Sequence, residues 1–531
     1  MKNTKKQQTM RSIAIIAIAA VIGFAFITCD DGNSKSDDTV SINAIGVTAP
    51  VQGAAPVTEI TANEQYTGTV AWNGTPAAFA YNTAYTATIT LTAKSGYTLE
   101  GVPADFFTVA GAQSVSNAAN SGVVTATFSP IAIIYIITDD ASSFTAAKGG
   151  ATVDAGTNVE TGEIQDVIDV IRTNAGGEPV SIQFGTGGSA LDIGTASAQF
   201  TNVTGSEWGL ITLSGKITSA NITSTEGTVL IGANVSVNST ADIAVTSSTT
   251  TNGRAIYKSG AGTVNISGGT VSATSGRAVY IVSNSTATVN ISDGTVSAAT
   301  GYAVYNGSSN ATVNISGGTI STTTGQAVRN DFNGTVNISG GTVSATTGYA
   351  VYNDYNGIIN VSGSALVTSA NTNTGYGTIY CSTLGTSTTI NLTRIVITGG
   401  TVQNTSATTG NAVYNASIGR VEISGGTILA PTYAVQNTTT NSTTANAGAI
   451  ILGGDPDITG RLRPAANGRL SVTTSFNPST GRSYILDYSA YAADDIAVIG
   501  GASSATNFSL HNATAWKLAV SGSDLVIAAV E

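Results

Sequence analysis

The chain has 531 residues, of which 10% are charged and 41% hydrophobic, with 61 glycines and a net charge of −11. That hydrophobic share, with Val and Ile recurring at regular spacings, excludes an intrinsically disordered chain. An acidic chain with only 20 Lys and Arg cannot neutralise many phosphates, which excludes a nucleic-acid partner. The length allows two to four domains of about 100–200 residues each. Small polar residues combined with β-branched ones predict an all-β protein with many tight turns.

Residues 1–29 read as an export signal. Lys2, Lys5, Lys6 and Arg11 form a cationic start, and Ile13 to Ile27 form an apolar run too short for a comfortable membrane span. The run ends in Phe26-Ile27-Thr28-Cys29, and Asp30-Asp31-Gly32-Asn33-Ser34 follow. This resembles a bacterial lipoprotein signal, with Thr28 and Phe26 departing from the usual small residue and Leu in the manner of spirochaete lipoproteins. The resemblance implies that Cys29 becomes the lipidated first residue. The membrane is then a partner through a lipid anchor, and the protein sits at the outer membrane or cell surface. An ordinary signal with an incidental Cys is the alternative. With Cys29 acylated, Cys381 has no partner and no intramolecular disulfide is expected. Residues 30–39 form a polar tether.

Residues 40–130 read as a separate small β-module. Tyr66-Thr67-Gly68-Thr69-Val70-Ala71-Trp72 and Tyr85-Thr86-Ala87-Thr88-Ile89-Thr90-Leu91 alternate and are broken by Asn-Gly and Ser-Gly turn signals. Such strands suit an immunoglobulin-like sandwich. The segment also resembles a module near the N-terminus of spirochaete surface lipoproteins, which implies a spacer role. A linker at 131–160 leads to one amphipathic helix, Glu163 to Arg172. There Ile164, Val167, Ile168 and Ile171 make a single apolar stripe. A helix ahead of the first strand, Val180 to Gly185, is placed to cover the open end of a stacked β-structure.

Repeats fill 161–450. Thr263-Val264-Asn265-Ile266-Ser267-Gly268-Gly269-Thr270-Val271-Ser272-Ala273 recurs nearly unchanged from Thr288, Thr312 and Thr335. Its Ile falls at 266, 291, 315 and 338, spacings of 25, 24 and 23 residues. Each copy continues into Ala-Val followed by Tyr or Arg, as in Ala303-Val304-Tyr305 and Ala327-Val328-Arg329. Weaker copies surround these. Three short strands per repeat, Gly-rich corners and no helical stretch predict a right-handed parallel β-helix rather than a propeller, whose blades need about 40 residues. Alternation sends Val264, Ile266 and Val271 inward, each contributing about 1.5–3 kcal/mol on burial, and turns Asn265 and Ser272 outward. Roughly eleven rungs at about 4.8 Å give a rod on the order of 50 Å long. The pattern resembles the pectin-lyase-like superfamily over about half the chain. Residues 451–531 lose the repeat but keep strand-like runs such as Tyr484-Ile485-Leu486, and read as a β-rich cap, again resembling spirochaete β-helix lipoproteins.

Chemistry is sparse. His511 is the only histidine, so a Ser-His-Asp or Cys-His site has one anchor and no nucleophile elbow. No cofactor is expected; the acidic pairs Asp139-Asp140, Asp455-Pro456-Asp457 and Asp494-Asp495 lack the ordered spacing of a Ca²⁺ loop and leave at most weak Ca²⁺ binding. The superfamily resemblance implies lyases and hydrolases with several carboxylates, often Ca²⁺, and Arg or Lys on one face. The best match is Asp331 and Asp354 on adjacent rungs with Arg329 beside them. Stacking puts these carboxylates about 5 Å apart, near a retaining-glycosidase separation, but Gly307 and Val282 hold that place in the two preceding copies. The stronger feature is aromatic. If Val279 and its equivalents point inward, Tyr257, Tyr280, Tyr305, Tyr352, Tyr380 and Tyr414 line up outward, with Arg329 in the gap. Such a column is either a platform for sugar rings or a ladder that stabilises the coil. Asn306, Asn330, Asn353 and Asn415 predict a ladder that satisfies turn backbone. The expected function is therefore a non-enzymatic, lipid-anchored surface protein presenting a repetitive face to a polysaccharide or to a host or matrix ligand. A β-helix polysaccharide lyase or glycoside hydrolase, and a passive coat protein, are the alternatives.

Overall fold

The computed structural model describes residues 37–530, apart from 52, 81–82, 132, 140–143, 149–150, 154–162, 222–224, 248–251, 383–391, 439–448, 466–468 and 489–494. The expected signal, Cys29, Asp140 and Asp494 lie outside the described residues. Among those described, no helix is long and apolar enough to cross a membrane. The chain divides into two compact units at Pro130 and Ile131.

In the first unit, Tyr66–Trp72, Tyr85–Ala93, Val123–Phe128 and Ser114–Asn117 form one four-stranded antiparallel sheet in that order. Alternation buries Tyr66, Val70 and Trp72 on one strand and Tyr85, Ala87, Ile89 and Leu91 on the next. Trp72, Phe79 and Tyr85 pack edge to face at 4.8 and 4.7 Å, worth about 0.5–1.5 kcal/mol per pair beyond burial. A second full sheet is not described. The other strands are two-residue parallel pairs, Asp38–Thr39 with Tyr97–Thr98 and Ala44–Ile45 with Thr108–Val109.

The second unit is a parallel β-solenoid of about 11 turns between residues 191 and 510. One coil runs Thr312–Ile315, Thr319–Thr322 and Gln326–Asn330, and each strand pairs in parallel with the equivalent strand of the next coil. Three sheets therefore run along a stack, not around a closed barrel. Register is set by the inward residues: Val264, Val289, Val313 and Val336 are partners, as are Ile266, Ile291, Ile315 and Ile338, and all are fully buried. A one-residue slip would turn these outward, so the apolar pattern fixes the stacking.

Both ends of the stack are closed. The helix Ile164–Ala175 buries all four residues of its stripe and ends at Gly176, whose left-handed backbone (φ 58°) lets its N–H reach the Arg172 carbonyl. Gln165 on this helix accepts from the Gln199 N–H at 3.0 Å and donates to the Gln199 carbonyl at 3.1 Å. One side chain thus replaces the missing strand at the edge of the first coil. The 131–160 segment, expected as a linker, contributes Ile133–Asp139, which pairs in parallel with Val180–Phe184. At the other end the expected cap continues the coils: Leu452, Leu462, Leu470, Leu486 and Val498 keep the inward positions after the Gly-Gly-Thr signature is lost. Only beyond residue 510 does the pattern change, where Asp524–Ala529 pairs antiparallel with Ile496–Ile499 and with Trp516–Ser521.

Candidate functional site

The third sheet, carrying the Ala-Val-Tyr strands, sets the candidate site. Tyr257, Tyr280, Tyr305, Arg329, Tyr352, Tyr380 and Tyr414 are consecutive register partners, so the expected column exists, with Arg329 in its middle. Tyr257 is buried at one end and the rest are half-buried. Ring centroids are 5.5 and 5.3 Å apart from Tyr257 to Tyr305, and 5.2 and 5.6 Å from Tyr352 to Tyr414.

A second row lies beside the column. The four strands Arg277–Ile281, Tyr302–Asn306, Gln326–Asn330 and Tyr349–Asn353 read half-buried, buried, buried, half-buried, buried, so that Ala278 and Val279 are both covered and Arg277 emerges again three residues before Tyr280. Arg254, Arg277, Tyr302, Gln326 and Tyr349 are partners along this row. Guanidiniums interleave with rings: Arg254 is 4.6 Å from Tyr280, Arg277 is 4.7 Å from Tyr305, and Arg329 is 4.7 Å from Tyr352. Each such contact contributes about 0.5–2 kcal/mol depending on desolvation. Strict alternation hides this row.

The carboxylate pair is where the register requires. Backbone N–H groups of Gly307, Asp331, Asp354 and Ser382 bond in sequence to the carbonyls of Ile281, Asn306, Asn330 and Asn353, which makes these residues one column. Asp331 and Asp354 are only 5% and 3% exposed. Arg329 serves both, with Nε 2.8 Å from Asp331 and Nη2 3.5 Å from Asp354. The Tyr305 hydroxyl donates to Asp331, and the Ser382 hydroxyl and Tyr355 N–H donate to Asp354. Burial opposes the charge on Arg329, but Asp331 at contact outweighs it and raises the guanidinium above its ordinary value. Burial and the bond to Asp331 push the Tyr305 phenol up. Burial, then neighbouring tyrosines, push Tyr380 up to about 12.

Beneath this face the asparagine ladder is present and fully buried. Asn306 donates to Asn330 and Asn330 to Asn353, each at 2.9 Å, while Asn330 and Asn353 also donate to the carbonyls of Gly334 and Gly357 at 2.7 and 2.6 Å. Asn415 does the same to Gly419 at 2.8 Å. Gly334 and Gly357 are required: a Cβ there would lie 2.2 and 2.3 Å from ladder amides. Three residues replace asparagine in this column: Lys258, Ile281 and Cys381. Lys258 takes the asparagine place and gives its ammonium to the carbonyls of Gly232, Ser259 and Ala261, and burial pushes it down to about 8. Cys381 lies next to Asn353, fully buried, and burial raises its thiol. It is a structural thiol by the criterion that reactive ones are low-pKa and accessible. A second, outward ladder runs Asn238, Asn265, Asn290, Asn314, Asn337 and Asn360 at 2.7–2.8 Å.

A second acidic centre was missed altogether. Asp487, buried, receives Arg461 at 2.8 Å, Arg463 at 3.0 Å and the Tyr433 hydroxyl at 2.9 Å, and both guanidiniums cover the Tyr433 ring. Asp455 and Asp457 are bridged by Arg482. Among the described residues no three His, Cys, Asp or Glu side chains gather as a metal site.

No known protein family matches the chain, and neither a curated protein nor a solved structure is similar to it. Fold and surface together define the class: a parallel β-solenoid with one aromatic, arginine-rich face over buried polar ladders.

Proposed function

We propose that this is a non-enzymatic, exported and lipid-anchored surface protein that uses the third-sheet face to hold a carbohydrate. The observation that carries the reading is the row of half-buried rings from Tyr280 to Tyr414, interrupted once by the Arg329 guanidinium and flanked by a second row of Arg, Tyr and Gln. Such rings present flat apolar faces with polar rims, and sugar rings are bound that way. The rigid stack holds the rings in place before a ligand arrives, which limits the ordering entropy of binding.

The enzymatic alternative has weaker support. A glycosidase pair must face a scissile bond and reach it. Asp331 and Asp354 instead face one guanidinium and are almost wholly covered. The test is affinity electrophoresis of the full chain against a panel of neutral and acidic polysaccharides, with release of reducing and unsaturated ends followed in parallel with Ca²⁺. Binding by the parent chain, reduced at least fivefold in Tyr352→Ala/Tyr380→Ala with its melting still cooperative, supports the reading. Turnover that disappears in Asp331→Asn overturns it in favour of an enzyme. No binding to any glycan leaves the coat-protein reading.

A further inference from the structure

Two adjacent corners carry the same five-residue pattern, Asn-Asp-aromatic-Asn-Gly: Asn330-Asp331-Phe332-Asn333-Gly334 and Asn353-Asp354-Tyr355-Asn356-Gly357. In both, the aromatic residue has a left-handed backbone, φ 58° at Phe332 and 43° at Tyr355. That conformation costs a bulky L residue on the order of 1–3 kcal/mol and suits Gly or Asn. The fold does not demand the aromatics: Asn415-Ala416-Ser417-Ile418-Gly419 closes a corner of equal length, with the same amide-to-glycine bond and no left-handed non-glycine residue. Strain repeated on neighbouring coils therefore marks a use for the rings. They lie parallel, centroids 5.2 Å apart with an 18° tilt, and Phe332 is 41% exposed.

We infer that Phe332 and Tyr355 form a stacking subsite for an uncharged pyranose, at the corner next to Arg329. The inference rests on the carbohydrate reading above and names the subsite and the ligand class. The platform is one or two rings wide, far below the roughly 800 Å² per partner of a protein interface. Among the described residues its surroundings carry no excess charge. Asp331 and Asp354 are matched by Arg329 and by Arg394, which is 2% exposed and donates to the backbone carbonyls of Gly357 and Asp354. A uronate or sulfate finds no free cation there, whereas a neutral sugar can lay its C–H face on Phe332 and meet the Asn333 and Asn356 amides at the rim.

Phe332→Asn, Phe332→Gly and Tyr355→Gly in the full chain test it, with hydroxyethylcellulose and galactomannan as neutral probes and polygalacturonate as the charged one. The expected result is at least fivefold weaker retardation by a neutral probe, with a melting temperature equal to or above the parent's because strain is relieved. Unchanged neutral binding in these variants, while Tyr352→Ala/Tyr380→Ala loses it, overturns the subsite alone. Retardation by polygalacturonate only, or a melting temperature several degrees lower in Phe332→Asn, also overturns it. A parent chain that binds no probe removes the carbohydrate reading and the subsite with it.

Discussion

The second and third sheets of the solenoid share parallel coil-to-coil pairing and an apolar inner surface, yet their outer surfaces differ completely. On the second sheet, Thr295, Ser297, Ser321, Thr342 and Ser344 face out, and a shallow groove of 430 Å³ is lined by Ser297, Ala298, Ser321 and Thr323. On the third, rings and guanidiniums interlock over a buried ion pair. A β-coil needs particular residues only inside and at its corners; what stands outside is free to vary. The chemistry on the third sheet is therefore not dictated by the coil geometry alone.

Removing Arg329 should break the contrast most severely. Arg329→Ala leaves Asp331 and Asp354 buried without their cation, and the unfolding free energy should fall by about 3–5 kcal/mol. Urea denaturation measures this, and Asp331→Asn with Asp354→Asn should recover most of the loss; if Arg329→Ala alone is silent, the ion pair is not part of the fold. Inside the coil the two sheets should behave alike. Ile320→Ala on the second and Ile379→Ala on the third, both fully buried, should each cost about 2–5 kcal/mol, and a much smaller loss on one side would show that its core is loosely packed. Outside, they should separate. Tyr352→Ala loses contacts with Tyr349, Tyr380 and Arg329 and should cost about 1–2 kcal/mol, whereas Ser344→Ala should stay within about 0.5 kcal/mol.

Alkaline pH gives the gentlest probe. Tyr257, Tyr305, Tyr352 and Tyr380 are raised by burial, so their stabilisation is complete below the ordinary tyrosine value of about 10 and is lost as pH climbs towards about 12, the value at Tyr380. Ultraviolet titration should therefore show a class of phenols ionising late, or only with unfolding. Lys258 acts in the opposite sense. Its folded value is near 8, so the unfolded chain binds more protons between there and about 10.4. Stability should rise over that window, and Lys258→Met should remove the rise; an identical profile in the variant would mean that the ammonium is not held as described.

Much of the candidate site was legible because it follows from local repetition. The tyrosine column needed only the register of Val279, Val304, Val328 and Val351, and the placement of Asp331 over Asp354 needed only coils of 24 and 23 residues. Arg277, Tyr302 and Tyr349 were not legible, since two successive buried residues, Ala278 and Val279, shift the alternation by one. Asp487 and its arginines escaped because the repeat fades after residue 450 although the coils continue. Phe332 and Tyr355 could have been found by asking why two corners share Asn-Asp-aromatic-Asn-Gly when a third of equal length does not.

By itself the sequence determined the coil, its inward residues, the helical lid and the order of the columns, because each depends on periodicity that a chain carries locally. Only the tertiary structure decided what the charged groups do. Arg329 lies between carboxylates from its own coil and the next, Tyr305 reaches Asp331 from the coil before, and Ser382 and Arg394 close over Asp354 from further along. These partners are 2 to 40 residues apart, and their ionic balance and burial exist only once the coils are stacked.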